Sequence, residues 1–236
     1  MISEVNFVKG FLSFWDIVVP YMKQYIKICN LDVETFKPIV DMQFYTNSYK
    51  SLSAELAFRM FCKESSDGTQ SLTPQVINCI EIETCKYISQ FGDIVPDELK
   101  VGEEERKEAI WLKNNLIRFF KDIWKDKSPI ITNPFFVGCG ILDHSWGDII
   151  VGDTLFEIKA VDRNFQAPDM RQILTYIVLN YASKSYDIKR ICLLNPRRCV
   201  FYWDNVNNAV ARMSGKSFDW MVNETINLLS SGDLSK

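Results

Sequence analysis

Apolar positions in the first hundred residues recur at helical spacing. Residues 5–19 and 21–29 are dense in apolar and aromatic side chains, with Pro20 either starting a second helix or kinking a longer one. Segments 50–63 (KSLSAELAFRMFCK) and 74–91 (PQVINCIEIETCKYISQF) repeat apolar residues at helical intervals, and Pro74 suits a first helical turn. Between them SSDGTQSLT is a loop by composition. A second loop, FGDIVPDELKVG, holds Gly92, Pro96 and Gly102 and marks the expected boundary between an all-helical N-terminal region, 1–102, and a second domain, 103–236.

From residue 103 the pattern changes. EEERKEAIWLKNNLIRFFKDIWKDK reads as one long amphipathic helix, acidic in its first turn and lysine-rich at its end, as the helix dipole favours. Short apolar runs broken by glycine follow: IITNPFFVGCGIL, WGDIIV and TLFEIKAV. Next come a helix, PDMRQILTYIVLNYAS, two strands, IKRICLLN and CVFYW, and a last helix, SFDWMVNETINLLSS, that Ser217 can cap. The order α-β-β-β-α-β-β-α predicts an α/β domain whose mixed sheet is flanked by helices.

Composition then removes whole classes of chemistry. His144 is the only histidine, which excludes Cys₂His₂ zinc sites, His-rich metal sites and HExxH proteases. The seven cysteines have no CxxC pair and an odd count, so they read as reduced thiols. No stretch reaches the roughly 18 uncharged apolar residues of a membrane span. The apolar N-terminus is interrupted by Glu4, Lys9 and Asp16 where a signal peptide needs an unbroken run. A soluble, cytoplasmic protein is expected. Charge is uneven but never basic: 15 Lys and Arg face 18 Asp and Glu over residues 1–125, and 12 face 12 over 126–236. Neither half has the excess that holds nucleic acid by phosphate attraction alone.

The chemistry concentrates at residues 146–161. Gly152-Asp153 between two apolar runs predicts a two-residue hairpin turn. That turn sets Val151 against Thr154, Ile150 against Leu155, Ile149 against Phe156 and Asp148 against Glu157. Opposed residues share a face of the sheet, and Lys159 lies on the same side, while Phe156 and Ile158 face away. Two carboxylates forced together in a half-buried strand are costly unless a divalent cation joins them. Mg²⁺ is satisfied by two carboxylates, a backbone carbonyl and waters. Lys159 then orients or deprotonates an attacking water or stabilises the transition state. Three other [DE]xK triplets exist, at Glu98, Glu105 and Asp187, but none has an opposed acid on a partner strand. The alternative reading of the hairpin is a surface turn with an ordinary Glu–Lys pair.

Asp148…Glu157-Ile158-Lys159 resembles the PD-(D/E)XK nuclease signature, with Gly147 in the proline position. Gln172 and Tyr176, at i and i+4 on the following helix, resemble the QxxxY element of RecB-type nucleases. The resemblance covers roughly residues 103–204. It implies a restriction-endonuclease-like fold and Mg²⁺- or Mn²⁺-dependent hydrolysis of phosphodiester bonds in DNA. Asp148, Glu157 and the Ile158 carbonyl would bind metal, with Lys159 as the catalytic lysine and Gln172 and Tyr176 holding the DNA backbone. Some nucleases of this type add a glutamate from the preceding helix, for which Glu105 and Glu108 are both candidates, and the resemblance also implies a place in an anti-phage defence or repair assembly.

Arg163, Arg171, Lys189, Arg190, Arg197 and Arg198 are candidate phosphate contacts, and Asp143 and His144 lie just before the motif. The rival expectation is a catalytically silent nucleic-acid-binding or scaffold subunit. With so little basic charge, delivery to DNA by a protein partner such as an ATPase subunit is expected. The contact would be an exposed aromatic face among Phe7, Phe11, Phe14, Trp15, Tyr21 and Tyr25.

Overall fold

The computed structural model describes residues 1–41, 49–68, 71–90 and 99–231. The N-terminal region forms α1 (Glu4–Gly10), α2 (Leu12–Val18), α3 (Met22–Leu31), α4 (Lys50–Asp67) and α5 (Pro74–Ser89). Ser3 caps α1, and Thr73 with Pro74 opens α5, as the sequence signals require. One departure is a two-residue strand, β1 (Glu34–Thr35), so the region is not wholly helical. The expected boundary loop falls largely on residues 91–98, outside the described residues.

The second half begins with α6 (Glu103–Arg118), which passes into a π-helical turn, Phe119–Ile123, instead of running on to residue 127. The wider turn puts both Phe119 and Phe120 against the sheet, where consecutive residues of an α-helix would diverge. Strands β2 (Ile130–Thr132), β3 (Phe135–Phe136), β4 (Ser145–Trp146), β5 (Ile149–Val151) and β6 (Thr154–Ile158) follow. Then come α7 (Ala167–Ser183), β7 (Arg190–Asn195), β8 (Val200–Asn205), α8 (Val206–Ser214) and α9 (Phe218–Ser231). Ser217 accepts a hydrogen bond from the Trp220 N–H at 3.3 Å, as expected of the cap. Helix α8 is absent from the expected order. Its apolar residues, Val206, Ala209, Val210 and Met213, do have helical spacing, but β8 runs into it without a glycine or proline break.

The sheet is mixed, with strand order β1-β8-β7-β6-β5-β2, and only β6 and β7 are parallel. A separate two-stranded sheet pairs β3 with β4. Helices cover both faces. Ile150, Leu155, Ile191 and Leu193 pack against α1, α2, α3, α7, α8 and α9. Ile149, Phe156, Cys192 and Leu194 pack against Phe61 of α4, Leu116 of α6 and the π-turn aromatics. Five of the six N-terminal aromatics (Phe7, Phe11, Phe14, Trp15 and Tyr25) are buried in the first of these cores, and Tyr21 alone is exposed. The expected aromatic docking face is therefore interior. Among the described residues no helix is long and apolar enough to cross a membrane.

Candidate active site

The hairpin has the register its sequence dictates. Val151 opposes Thr154, Ile150 opposes Leu155, and Ile149 opposes Phe156. Gly152 takes φ of 58°, the left-handed conformation that a Gly-X turn needs at its first position. Both strands are buried on both faces, so the hairpin is not a surface turn. Alternation from Ile150 and Leu155 carries Asp148, Glu157 and Lys159 to the α7 side of the sheet. At Gly147 a Cβ would approach the Phe136 ring at 2.9 Å, so the chain enters the site through a position too tight for a side chain.

The carboxylates and the lysine meet there. Asp148 Oδ2 accepts the Ile158 N–H at 2.6 Å, and the Lys159 ammonium lies 2.6 Å from Glu157 Oε1. In an extended residue the N–H and C=O leave the same strand edge, so the Ile158 carbonyl also faces Asp148. Glu157 is 1% exposed and its Oε2 has no hydrogen-bond partner. Burial drives its pKa well above the carboxylate range, and the Asp148 charge adds to this. Burial likewise raises Asp148 to about 6, partly opposed by Lys159. For Lys159 burial works against the charge, but Glu157 and Asp148 outweigh it and leave its pKa above the ordinary lysine value.

Behind the lysine a relay runs along α7. Lys159 Nζ donates to Gln172 Oε1 at 2.6 Å, and Gln172 Nε2 donates to the Tyr176 hydroxyl at 2.9 Å. Tyr176 is buried and stacked on Phe136, so its hydroxyl faces the site while its ring belongs to the core. Glu4 of α1 lines the same cleft and accepts from the Ser145 hydroxyl at 3.5 Å, and burial raises its pKa to about 7. Glu55 of α4 adds its charge to the field at Asp148 and pairs with Arg59 at 2.7 Å.

Glu4 and Glu55 are the site residues that sequence reasoning missed. Glu4 was legible as an acid in the first turn of an otherwise apolar, aromatic helix. Glu105 and Glu108, the expected helical glutamates, lie elsewhere: Glu105 accepts the Tyr49 N–H, and Glu108 is buried in an ion pair with Arg197.

Most basic candidates are also committed elsewhere. Arg163 makes a two-pronged pair with Asp169 at the start of α7, at 2.7 and 2.9 Å. Arg171 is buried beneath the α1–α2 helices beside Trp15. The first is engaged by the acid in the first turn of α7 and the second by core packing. Arg190 pairs with Asp153 and Asp126 at the far end of the hairpin, Lys189 with Asp187, and Arg198 with Asn164. His144 pairs with Asp143 at 2.9 Å, and neither lines the clefts beside the site.

Two clefts open on either side of Asp148, Glu55 and Phe58. One of about 440 Å³ is lined by Lys50, Ile158 and Lys159, and one of about 700 Å³ by Glu4, Trp146, Gln172 and Tyr176. The donor set fits a hard divalent cation: oxygen ligands, a buried carboxylate oxygen without a partner, and acids whose charged forms burial disfavours. Among the described residues no three His, Cys, Asp or Glu side chains are grouped to hold a metal. Two carboxylates, a carbonyl and water are a different set and meet the needs of Mg²⁺. Comparison with protein-family models gives no match, and none comes from the curated proteins or the solved structures.

Proposed function

We propose that this protein is a Mg²⁺- or Mn²⁺-dependent nuclease that hydrolyses phosphodiester bonds in DNA, with a restriction-endonuclease-like domain. The observation that carries the reading is a buried Glu157 carboxylate, half paired with Lys159 and half without a partner, next to Asp148. A site built for stability alone would not leave a buried oxygen unpaired beside a second acid. Asp148, Glu157 and the Ile158 carbonyl would hold the cation, which polarises the phosphodiester and lowers the pKa of bound water. Lys159 retains its proton, so it acts as a charge and a donor to the developing phosphorane oxygens rather than as a base. Gln172 and Tyr176 are positioning residues that fix the ammonium.

The restriction or repair setting, delivery to DNA by an ATPase-like partner and a cytoplasmic location belong to the same proposal. The test is purified protein on linear, circular and single-stranded DNA, with Mg²⁺ and with EDTA. EDTA-sensitive cleavage supports the reading. If no substrate is cut under any metal, the protein is instead the silent nucleic-acid-binding or scaffold subunit.

A further inference from the structure

The two-stranded β3–β4 sheet has faces of opposite character. Phe136 and Ser145 point inward, the first onto Tyr176 and the second toward Glu4. Phe135 and Trp146, directly paired, point outward. Trp146 is 56% exposed, its ring 4.8 Å from Phe135, which in turn lies 5.4 Å from the His144 ring. Three exposed rings in contact are an unusual use of surface, since exposed large apolar groups carry a solvation cost that an isolated domain avoids.

The position of this patch identifies its occupant. Trp146 lines the larger cleft together with Asp148, two residues further along the chain, or roughly 7 Å in extended backbone. A strand whose phosphate sits at Asp148 and Glu157 and that follows the larger cleft passes a neighbouring nucleotide over that ring. The same cleft offers little to a phosphate backbone: Glu4, Glu55, Glu83 and Asp148 line it against Arg59 and Lys63. Attraction to phosphates therefore cannot hold the strand in place, and aromatic stacking on a base face can, because every base has one. A base inside an intact duplex has both faces covered.

We propose that Trp146, supported by Phe135, is a stacking platform for an unpaired base flanking the scissile phosphodiester. The substrate is then single-stranded or frayed nucleic acid rather than intact duplex. The inference rests on the nuclease reading for its register, yet binding and cleavage test the two separately. Binding of fluorescein-labelled single-stranded 12-mers would be measured by anisotropy in EDTA, so that no cleavage intervenes. Trp146→Ala is expected to weaken binding of an oligothymidine by about tenfold, a typical loss for one stacked base, and Trp146→Phe to recover most of it. The deficit should vanish on a 12-mer with abasic sites throughout and be under about twofold on a blunt duplex. Equal loss on the abasic strand or the duplex overturns the platform, as does unchanged binding by Trp146→Ala or no binding by the wild type. Binding that behaves as expected without cleavage in Mg²⁺ overturns the nuclease reading and leaves the platform standing. A patch that docks a protein instead would show up as a Trp146→Ala variant indifferent to every oligonucleotide.

Discussion

Replacing Glu157 by glutamine removes a buried charge but keeps an acceptor for Lys159. Cleavage should fall by at least about 10²-fold, since a hard cation loses an anionic ligand, while Tm stays level or rises as acid–acid repulsion with Asp148 disappears. Full activity in this variant would remove Glu157 from the catalytic set, and a large drop in Tm would make it a structural residue. Lys159→Ala behaves differently, because it strips a 1%-exposed carboxylate of its partner and should cost about 1–3 kcal/mol in urea melts as well as activity. Gln172→Ala should lose less activity than Glu157→Gln, since it loosens the lysine without touching the metal ligands. Glu4 supplies a pH signature. Its pKa of about 7 lies above the ordinary 4.5, so its contribution to stability is full below pH 4.5 and is lost as pH rises through 7. The metal-free protein should melt higher at pH 5.5 than at pH 8, and Glu4→Gln should be the more stable form at pH 8 by about 1 kcal/mol, a figure reduced for solvent screening of a half-buried side chain. A wild-type and Glu4→Gln pair with identical Tm profiles from pH 5 to 8 would show that Glu4 titrates normally.

Elements differ in how far the sequence discloses them. The β5–β6 register follows from local chemistry: Gly152 fixes the turn, and period-2 alternation carries the pattern from Ile150 and Leu155 to Asp148 and Glu157. Gln172 and Tyr176 are legible as one helical face, but their link to Lys159 is not, because a side-chain relay depends on how α7 crosses the sheet. Glu4 and Glu55 are hidden for a stronger reason. They sit 144 and 93 residues before Asp148, on helices whose placement depends on packing rather than spacing. Strand β1 is two residues long and leaves no alternation to read. These long-range placements make α1 and α2 inseparable from the sheet. Phe7, Phe11, Phe14, Trp15 and Val18 share one core with Ile150 and Leu155, and each aromatic is worth about 3–5 kcal/mol on truncation to alanine. For the four aromatics that is about 12–20 kcal/mol, as large as the roughly 5–15 kcal/mol that holds a typical domain folded. Deletion of residues 1–20 should therefore abolish cooperative unfolding and the near-UV circular dichroism of the buried aromatics. A cooperatively folding 21–236 fragment would show that the second half is self-sufficient.

At the scale of the whole molecule the charge distribution limits how the proposed DNA substrate could be held. Residues 126–236 carry 12 basic and 12 acidic side chains, and several of the basic ones among the described residues have partners within the chain. Arg163, Arg190 and Arg197 pair with carboxylates, Arg171 is buried, and Lys127 donates to three backbone carbonyls. Each phosphate neutralised by a protein contributes about −0.9 to the slope of log K against log salt on duplex DNA, and about −0.7 on a single strand. With a net charge of −3 and, among the described residues, only Lys50, Arg59, Lys63 and Lys159 as cations lining the two clefts, the protein alone should bind single-stranded DNA with a slope no steeper than about −2, and weakly. The same measurement in the presence of a basic partner should become both tighter and steeper, because the partner supplies the phosphate contacts. Anisotropy titrations of the isolated protein from 50 to 300 mM NaCl decide the matter (concentrations of about this order bracket physiological ionic strength). A slope of about −5 or steeper for the protein alone would reveal a basic groove in its own surface and remove the need for a partner. A shallow slope leaves base stacking and metal–phosphate contact as the forces available to the isolated chain, and tight engagement of long DNA as the task of another subunit.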